Sequence, residues 1–289
     1  MHGEAKGQSV TLRELRERTE AVVNDRVAQN AEGVDAECSW PADSLNALAE
    51  TGLLGLHVPV RFGGLEQGME GLVTITETIA RACSSTALCY AMHCVGSAVI
   101  AAKATTPQVE RYLKPIAAGK HITTLALSEG GTGAHFYLPQ TRLEQKDGTF
   151  CLDGTKEFVT NGGHADSYVV STVAAEYGAE PGEFSCVLVD RDAPGVKWTG
   201  GWRGLGMRGN ASQTMQLKQV NIAQEKPSRR TRRSSLVRLR SRRSLLPHGH
   251  GRHLPRYCDN SARFRHRPRE AAQTHPFRRV AGRAFRRST

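Results

Sequence analysis

Residues 125–134, LALSEGGTGA, and residues 156–163, KEFVTNGG, are the two stretches that decide the fold. The first starts as an apolar strand and runs into a glycine-rich turn, where missing Cβ atoms let successive backbone N–H groups converge on a ligand. The second is also a strand that ends in a turn, and it places Thr160 and Asn161 beside a Gly-Gly pair that can adopt positive φ. We expect these two strand ends to face one flat, polar ring.

The sequence around these stretches is typical of a β domain. After Gly119 the apolar residues recur at period 2, and turn pairs such as Asp147-Gly148, Asp153-Gly154 and Asn161-Gly162 follow one another closely. This pattern predicts a small antiparallel β-barrel or sandwich over residues 121–223. The predicted strands are 122–127, 141–143, 149–152, 156–159, 168–172, 184–190, 196–199 and 214–220.

The preceding residues, 10–120, predict an all-α helical domain. Thr11 and Glu14 have the spacing of a capping box at the start of a first helix. Ser39 is the predicted cap of a second helix, with Pro41 in its first turn and Gly52 at its end. Later apolar residues recur at spacings of three and four, which indicates helices with one buried face. His93 is interpreted as a buried, hydrogen-bonded core residue, and Cys89 and Cys94 as inert thiols.

Three ordered motifs make the chain resemble the FAD-dependent acyl-CoA dehydrogenases over residues 10–222. The first motif is Leu127-Ser-Glu-Gly-Gly-Thr-Gly-Ala-His135, in which Ala and His replace the Ser and Asp of the family pattern. The second, Phe158-Val-Thr-Asn-Gly162, corresponds to Trp-Ile-Thr-Asn-Gly. The third is Gly206-Met-Arg-Gly-Asn210 followed by Val220-Asn-Ile222, with Ala223 at the place of a Pro. Their order and spacing agree with the family.

The resemblance implies an α+β fold with FAD on the β domain and an acyl-CoA substrate. It implies that the isoalloxazine is packed and hydrogen-bonded by Leu125, Leu127 and Ser128. The adjoining turn is lined by Gly131, Thr132 and Gly133. The second strand end contributes Phe158, Val159 and Thr160, of which Thr160 reaches flavin N5. Ala134 takes the position of the family's Ser that meets the CoA substrate.

Each of these residues also has an ordinary structural interpretation. Phe158 and Val159 are compatible with strand core, residues 160–163 with a hairpin turn, and Glu129 with a solvated or salt-bridged surface carboxylate. The chemistry has alternatives as well. The family removes the α-proton of the thioester with a Glu from a C-terminal helical bundle while the β-hydride passes to the flavin. The Ala134-His135 replacement is also compatible with another substrate or with a flavin-dependent monooxygenase on the same scaffold.

The composition changes where the resemblance stops. Residues 225–289 contain 19 Arg and one Lys against three acidic residues, a net charge of +17, which leaves −6 for residues 1–224 out of the chain's +11. The basic tail, 224–289, has no apolar periodicity, so we expect it to be disordered. It is interpreted as the product of a frameshift or truncation that removes the C-terminal domain and leaves little activity. The alternative is a non-catalytic protein whose arginine-rich arm binds nucleic acid.

The remaining features exclude several other classes of protein. The seven cysteines are scattered and contain no Cys-x-x-Cys pair, which argues against a disulfide framework and a zinc site. His248, His250 and His253 lack acidic or cysteine partners nearby, so no metal is expected. No signal peptide or membrane span is apparent, and we expect a cytoplasmic protein whose full-length parent is a homo-oligomer.

Overall fold

The computed structural model describes residues 10–133, 135, 138–146, 149–173, 183–222 and 237–240. Its first half is helical, as predicted, and the apolar positions at spacings of three and four form one core there. The helices are α1 (Leu12–Val22), α2 (Ala28–Ala36), α3 (Ala42–Glu50), α4 (Met69–Ala80), α5 (Ser84–Lys103), α6 (Thr106–Gln108) and α7 (Lys114–Ala117), with π-helical turns at Val23–Val27 and Val109–Leu113 and 3₁₀ turns at Leu53–Gly55 and Val60–Phe62.

One of the two predicted helix caps is present in the structure. The capping box of α1 is present, with the Glu14 N–H donating to Thr11 Oγ1 at 3.2 Å and the Thr11 N–H donating to Glu14 Oε2 at 2.8 Å. The prediction that Ser39 caps the second helix is wrong. This helix, α3, begins at Ala42, and Pro41 occupies the capping position without a side-chain hydrogen bond.

The second half forms two four-stranded sheets. The strands are β1 (Thr123–Ala126), β2 (Arg142–Lys146), β3 (Thr149–Val159), β4 (Ser167–Val173), β5 (Glu183–Asp190), β6 (Val196–Thr199), β7 (Gln213–Ile222) and β8 (Val237–Arg240). One sheet has the order β1-β4-β5-β8 and the other β2-β3-β7-β6. Residues from both sheets share one apolar core, among them Tyr168 and Val187 from the first and Leu152 and Met215 from the second. The predicted α+β class, with a β-sandwich after the helices, is confirmed.

Strand pairing differs from the prediction in two places. The predicted turn at Asp153-Gly154 is wrong: β3 runs unbroken, and an extra residue on β7 between the pairs Leu152–Val220 and Gly154–Leu217 forms a bulge. The Asp153 carboxylate accepts the Gln219 N–H at 2.9 Å and stabilises this bulge. The pairing of β1 with β4 is parallel, whereas every other pair is antiparallel within the described residues.

The basic tail contributes one described element. Val237–Arg240 pairs antiparallel with Glu183–Cys186 of β5, so the expected absence of regular structure does not hold for these four residues. The other residues of the tail, including His248, His250 and His253, lie outside the described part of the chain.

Helix α5 packs directly against the first sheet. A third apolar cluster joins Ile100 of α5 and Leu113 to Leu125 of β1 and Val169 of β4. The first sheet is therefore covered on both faces. A Cβ on Gly96 would lie 3.0 Å from the Thr124 carbonyl carbon, so glycine permits this close approach. Helix α5 is long and apolar enough to cross a membrane, but more than half of its apolar stretch is buried in this core. The described residues accordingly belong to one compact unit.

His93 connects α5, the turn at Leu54 and β1. Its Nδ1 accepts the Thr123 N–H at 3.1 Å, which leaves Nε2 to donate to the Leu54 carbonyl at 2.9 Å. The ring is completely buried, and burial lowers the pKa of His93 to about 4. The interpretation of His93 as a hydrogen-bonded core residue is confirmed. Burial likewise raises the pKa of the Cys94 thiol to about 12 and that of Cys89 further, as expected for inert thiols.

We expect His93 to make the fold sensitive to mild acid. The ring is neutral in the folded state and gains a proton in the unfolded state below pH ~6.5. Its contribution is therefore complete above that pH and is lost as the pH falls toward the folded-state pKa, by about 3 kcal/mol in all. Urea unfolding between pH 7 and 4 should show this loss, and His93→Gln should flatten the profile. An unchanged slope in the variant would contradict the assignment.

Candidate functional site

The two glycine-rich stretches meet at one edge of the sandwich. The Glu157 N–H of β3 donates to the Ser128 carbonyl, just past the end of β1, at 2.8 Å. Lys156 Nζ lies 3.4 Å from the Leu127 carbonyl oxygen. The structure thus brings together the two strand ends that the sequence predicts as neighbours. We refer to the surface formed by Ser128, the turn 130–133 and Phe158 as the wall.

A second β-bulge exposes Phe158 on the wall. Lys156 pairs with Met215 and Val159 with Gln213, so β3 carries one extra residue between these pairs. Phe158 adopts φ +54°, and its side chain is 64 % exposed. Its ring meets the edge of Trp202 with a centroid distance of 6.5 Å. The interpretation of Phe158 as strand core is wrong, because the bulge turns it out of the alternation of β3.

The turn 130–133 is polar and open to solvent. The N–H and Oγ1 of Thr132 both donate to the Glu129 carbonyl at 3.3 Å, and the His135 N–H donates to the Thr132 carbonyl at 2.9 Å. Gly133 has φ +52°, which favours glycine at this position. Gly131 and Gly133 are exposed and Thr132 is half-buried. Ala134, the predicted substrate contact, lies outside the described residues.

The remaining predicted site residues support the wall from behind. Leu125 is buried and Leu127 half-buried in the core shared with the helices, and Val159 is buried between the two sheets. Thr160 is buried too, with its Oγ1 3.2 Å from Ser212 Oγ. The structure therefore groups Ser128, the turn and Phe158 on the surface, and it places Leu125 and Val159 in separate cores.

Glu129 and Lys156 form a buried ion pair below the wall. Their side chains are 5 % and 0 % exposed, and Nζ lies 2.5 Å from Oε1. Burial raises the pKa of Glu129, but hydrogen bonds from Lys156 and Thr141 outweigh it and hold the pKa below its ordinary value. Burial lowers the pKa of Lys156, and Glu129 offsets part of this effect. The interpretation of Glu129 as salt-bridged is confirmed, but its predicted location at the surface is wrong. The sequence did contain a sign that Lys156 is buried. Lys156 lies an even number of residues after Phe150 and Leu152 on the same strand, so it points to the same, inward face.

We expect the two partners of this pair to be strongly coupled. Glu129→Gln should lower the free energy of unfolding by about 3–5 kcal/mol, because it leaves the Lys156 ammonium buried without a counter-ion. Glu129→Gln combined with Lys156→Met removes both charges and should cost less than Glu129→Gln alone. Urea unfolding of the four proteins in a double-mutant cycle measures the coupling. Additive losses would show that the pair is not coupled.

Asn161 joins the second motif to the third motif and to the helices. It is fully buried with φ +60°. Its Oδ1 accepts from Trp40 Nε1 at 2.9 Å, its Nδ2 donates to the Cys89 carbonyl at 3.0 Å, and its N–H donates to the Asn210 carbonyl at 3.1 Å. Residues 160–163 are therefore more than an ordinary hairpin turn, because they connect the helical region to the sandwich.

Removal of the Asn161 amide should destabilise the fold. Asn161→Ala leaves the buried Cys89 carbonyl and the Trp40 N–H without their partners, and we expect a loss of about 2–4 kcal/mol in urea unfolding. Asn221→Ala, at an exposed asparagine on β7, is the matched control and should change stability by less than about 0.5 kcal/mol. Equal losses in the two variants would contradict the connecting role.

The wall is an open surface. A groove of about 420 Å³ beside Tyr112, Asp190 and Ile222 is lined by none of the predicted site residues. Among the described residues, no three His, Cys, Asp or Glu side chains are grouped as metal ligands. The wall itself offers an exposed aromatic ring, the Ser128 hydroxyl and a glycine-rich turn, which suit one face of a flat, polar ligand.

A helical region packed on a β-sandwich with this wall is the arrangement of acyl-CoA dehydrogenase-type oxidoreductases. Residues 9–120 match the acyl-CoA dehydrogenase N-terminal domain, and residues 124–220 match the acyl-CoA dehydrogenase middle domain. The chain belongs to the acyl-CoA dehydrogenase family, as the three motifs predict.

Individual relatives agree with this assignment. Cyclohexane-1-carbonyl-CoA dehydrogenase of Geobacter metallireducens is 33% identical over 216 residues, which are 73% of this chain and 56% of that protein. The structure of butyryl-CoA dehydrogenase from Megasphaera elsdenii superposes with a TM-score of 0.68 at 19% identity, over 77% of this chain and 58% of that one. An FAD complex of PigA superposes with a TM-score of 0.66 at 18% identity, over 77% and 58%. The chain spans about half the length of the curated relatives it matches.

Proposed function

We propose that this chain provides the FAD-facing part of an acyl-CoA dehydrogenase that oxidises the Cα–Cβ bond of an acyl-CoA thioester. In this proposal residues 10–120 form the helical domain and residues 121–223 the flavin-facing β domain. The observation that carries the proposal is the hydrogen bond from the Glu157 N–H to the Ser128 carbonyl, because it unites the two glycine-rich motifs in one wall. Membership of the family supplies the cofactor and the reaction class.

The chemistry of the wall supports a flavin ring as its ligand. Phe158 presents an exposed aromatic surface at the end of β3, and aromatic rings stack favourably on one another. The exposed Ser128 hydroxyl and the turn of Gly131, Thr132 and Gly133 offer hydrogen bonds to a polar edge. Thr160 lies next to Phe158 in the chain and its hydroxyl is held by Ser212. Leu125, Leu127 and Val159 position these strand ends through their packing.

FAD, when bound, supplies the acceptor for the hydride that leaves the β-carbon of the substrate. The chain's own residues hold and orient the ring and shield one side of it. Glu129 does not serve as the base that removes the α-proton, since its carboxylate accepts hydrogen bonds from Lys156, Gln140 and Thr141 and its pKa is lowered. The proposal therefore assigns the base to a group outside the wall. Ala134 is the proposed contact for the acyl-CoA.

The exposed apolar residues and the cysteines support an oligomeric state and a cellular compartment for this protein. Leu205 and Met207 present large apolar side chains to solvent, and exposed apolar surface of this kind favours association with another protein surface. We propose that the protein forms a homo-oligomer. The six cysteines of the described residues are free thiols, which is typical of a cytoplasmic protein.

FAD binding by the purified chain tests the proposal. Titration of FAD, followed by quenching of flavin fluorescence, should show saturable binding. Phe158→Ala should weaken it by about tenfold, because an aromatic contact contributes about 0.5–1.5 kcal/mol beyond its buried area. Met69→Ala removes another exposed apolar side chain, on α4, and should leave the affinity unchanged. No saturable binding by the unmodified chain would refute the proposal, as would equal affinities for the two variants.

A further inference from the structure

The carboxylate of Glu129 joins the two ends of residues 130–139, the segment that contains the glycine-rich turn. Glu129 immediately precedes this segment, and Gln140 and Thr141 immediately follow it. Oε2 accepts the Gln140 N–H at 2.6 Å, and Oε1 accepts the Thr141 N–H at 3.1 Å and the Thr141 hydroxyl at 2.7 Å. Three donors from the far end of the segment therefore converge on one side chain at its near end.

Lys156 holds that carboxylate in place from the neighbouring strand. Its ammonium bonds to Glu129 Oε1 at 2.5 Å and to Ser171 Oγ at 2.8 Å. Since Lys156 lies on β3 and Ser171 on β4, the ammonium connects both sheets to the base of the segment. Both charged groups are almost completely buried, so water does not compete for these bonds, and hydrogen bonds between charged groups are the stronger ones.

The segment requires additional contacts to hold one conformation. It contains Gly130, Gly131 and Gly133, and glycine loses more conformational freedom on ordering than any other residue. The described hydrogen bonds within the turn are those of Thr132 and His135, at 2.9 to 3.3 Å. The Glu129 carboxylate adds the contacts that join the turn to the strand that follows it.

We propose that Glu129 and Lys156 are positioning residues for the cofactor. Glu129 fixes the glycine-rich turn beside Ser128 and Phe158, and Lys156 fixes Glu129. This inference rests on the proposed function for its consequence, which is FAD affinity. The positioning itself is a property of the polypeptide and is measurable without FAD.

A general loss of stability is the competing explanation for any effect of these variants. Three comparisons separate the two. Ile75→Val lowers stability in the helical core, where Ile75 is fully buried, and does not touch the turn. Glu129→Gln keeps one acceptor oxygen, which can serve the Thr141 donors, whereas Glu129→Ala removes both oxygens, and both variants leave Lys156 without its counter-ion. Thr141→Val removes one hydroxyl donor with little change of shape and is the mildest variant.

The experiment combines native-state proteolysis with FAD titration. Chymotrypsin cleaves after aromatic residues and leucine, and Leu138 lies in this segment. The rate of cleavage after Leu138, identified by mass spectrometry, reports opening of the segment. We expect cleavage about tenfold faster in Glu129→Ala and Lys156→Met than in the unmodified chain, and about fivefold faster in Thr141→Val. Glu129→Gln should recover part of the protection relative to Glu129→Ala, and Ile75→Val should match the unmodified chain.

FAD affinity should follow protection of the segment and be independent of global stability. Glu129→Ala should bind FAD about tenfold more weakly than Ile75→Val, and Glu129→Gln should recover part of that loss. Equal cleavage rates in Thr141→Val and Ile75→Val would overturn the positioning role, as would a Glu129→Gln variant no better than Glu129→Ala. If the unmodified chain binds no FAD, the proposed function fails, and the cleavage rates still decide whether Glu129 fixes the segment.

Discussion

The ammonium of Lys156 lies between two sheets, where an unpaired charge would be very costly, and the carboxylate of Glu129 stabilises it there. The rest of the wall depends on this pair. The inward position of Lys156 sets the parity of β3, and the bulge that follows exposes Phe158 while Val159 returns to the core. Because Glu129 also accepts hydrogen bonds from Gln140 and Thr141, one electrostatic contact orders the strand end and the adjoining turn together.

The helical region and the sandwich are connected by buried polar contacts within an apolar interface. Apolar residues of α5 and β1 pack together in this interface, and burial of apolar surface is the main source of stability. Asn161 and His93 determine the relative position of the two regions, since each satisfies groups from both of them. Unmade hydrogen bonds in such a place are costly. The Asn of the second motif therefore has a structural role at the interface.

The division of labour in the proposed enzyme follows from this architecture. The wall presents backbone groups, a hydroxyl and an aromatic ring, which suit orientation of a flat cofactor. The Glu129 carboxylate is committed to Lys156 and to three donors of the chain, so it is unavailable for proton transfer. In the proposed enzyme a group outside the wall removes the proton of the acyl-CoA. The chain spans about half the length of its relatives.

The amino-acid sequence by itself determined the helices, because their apolar residues recur every three to four positions, and most of the strands, because alternation is a local property. It also determined the family, since three motifs stand in the right order. Tertiary pairing alone decided that β3 is continuous, that β1 runs parallel to β4, and that Phe158 faces solvent. A bulge depends on the register of a strand with its partner, and Glu129 and Lys156 are 27 residues apart. Only folding brings such residues together, and burial then converts two ordinary charges into a structural pair.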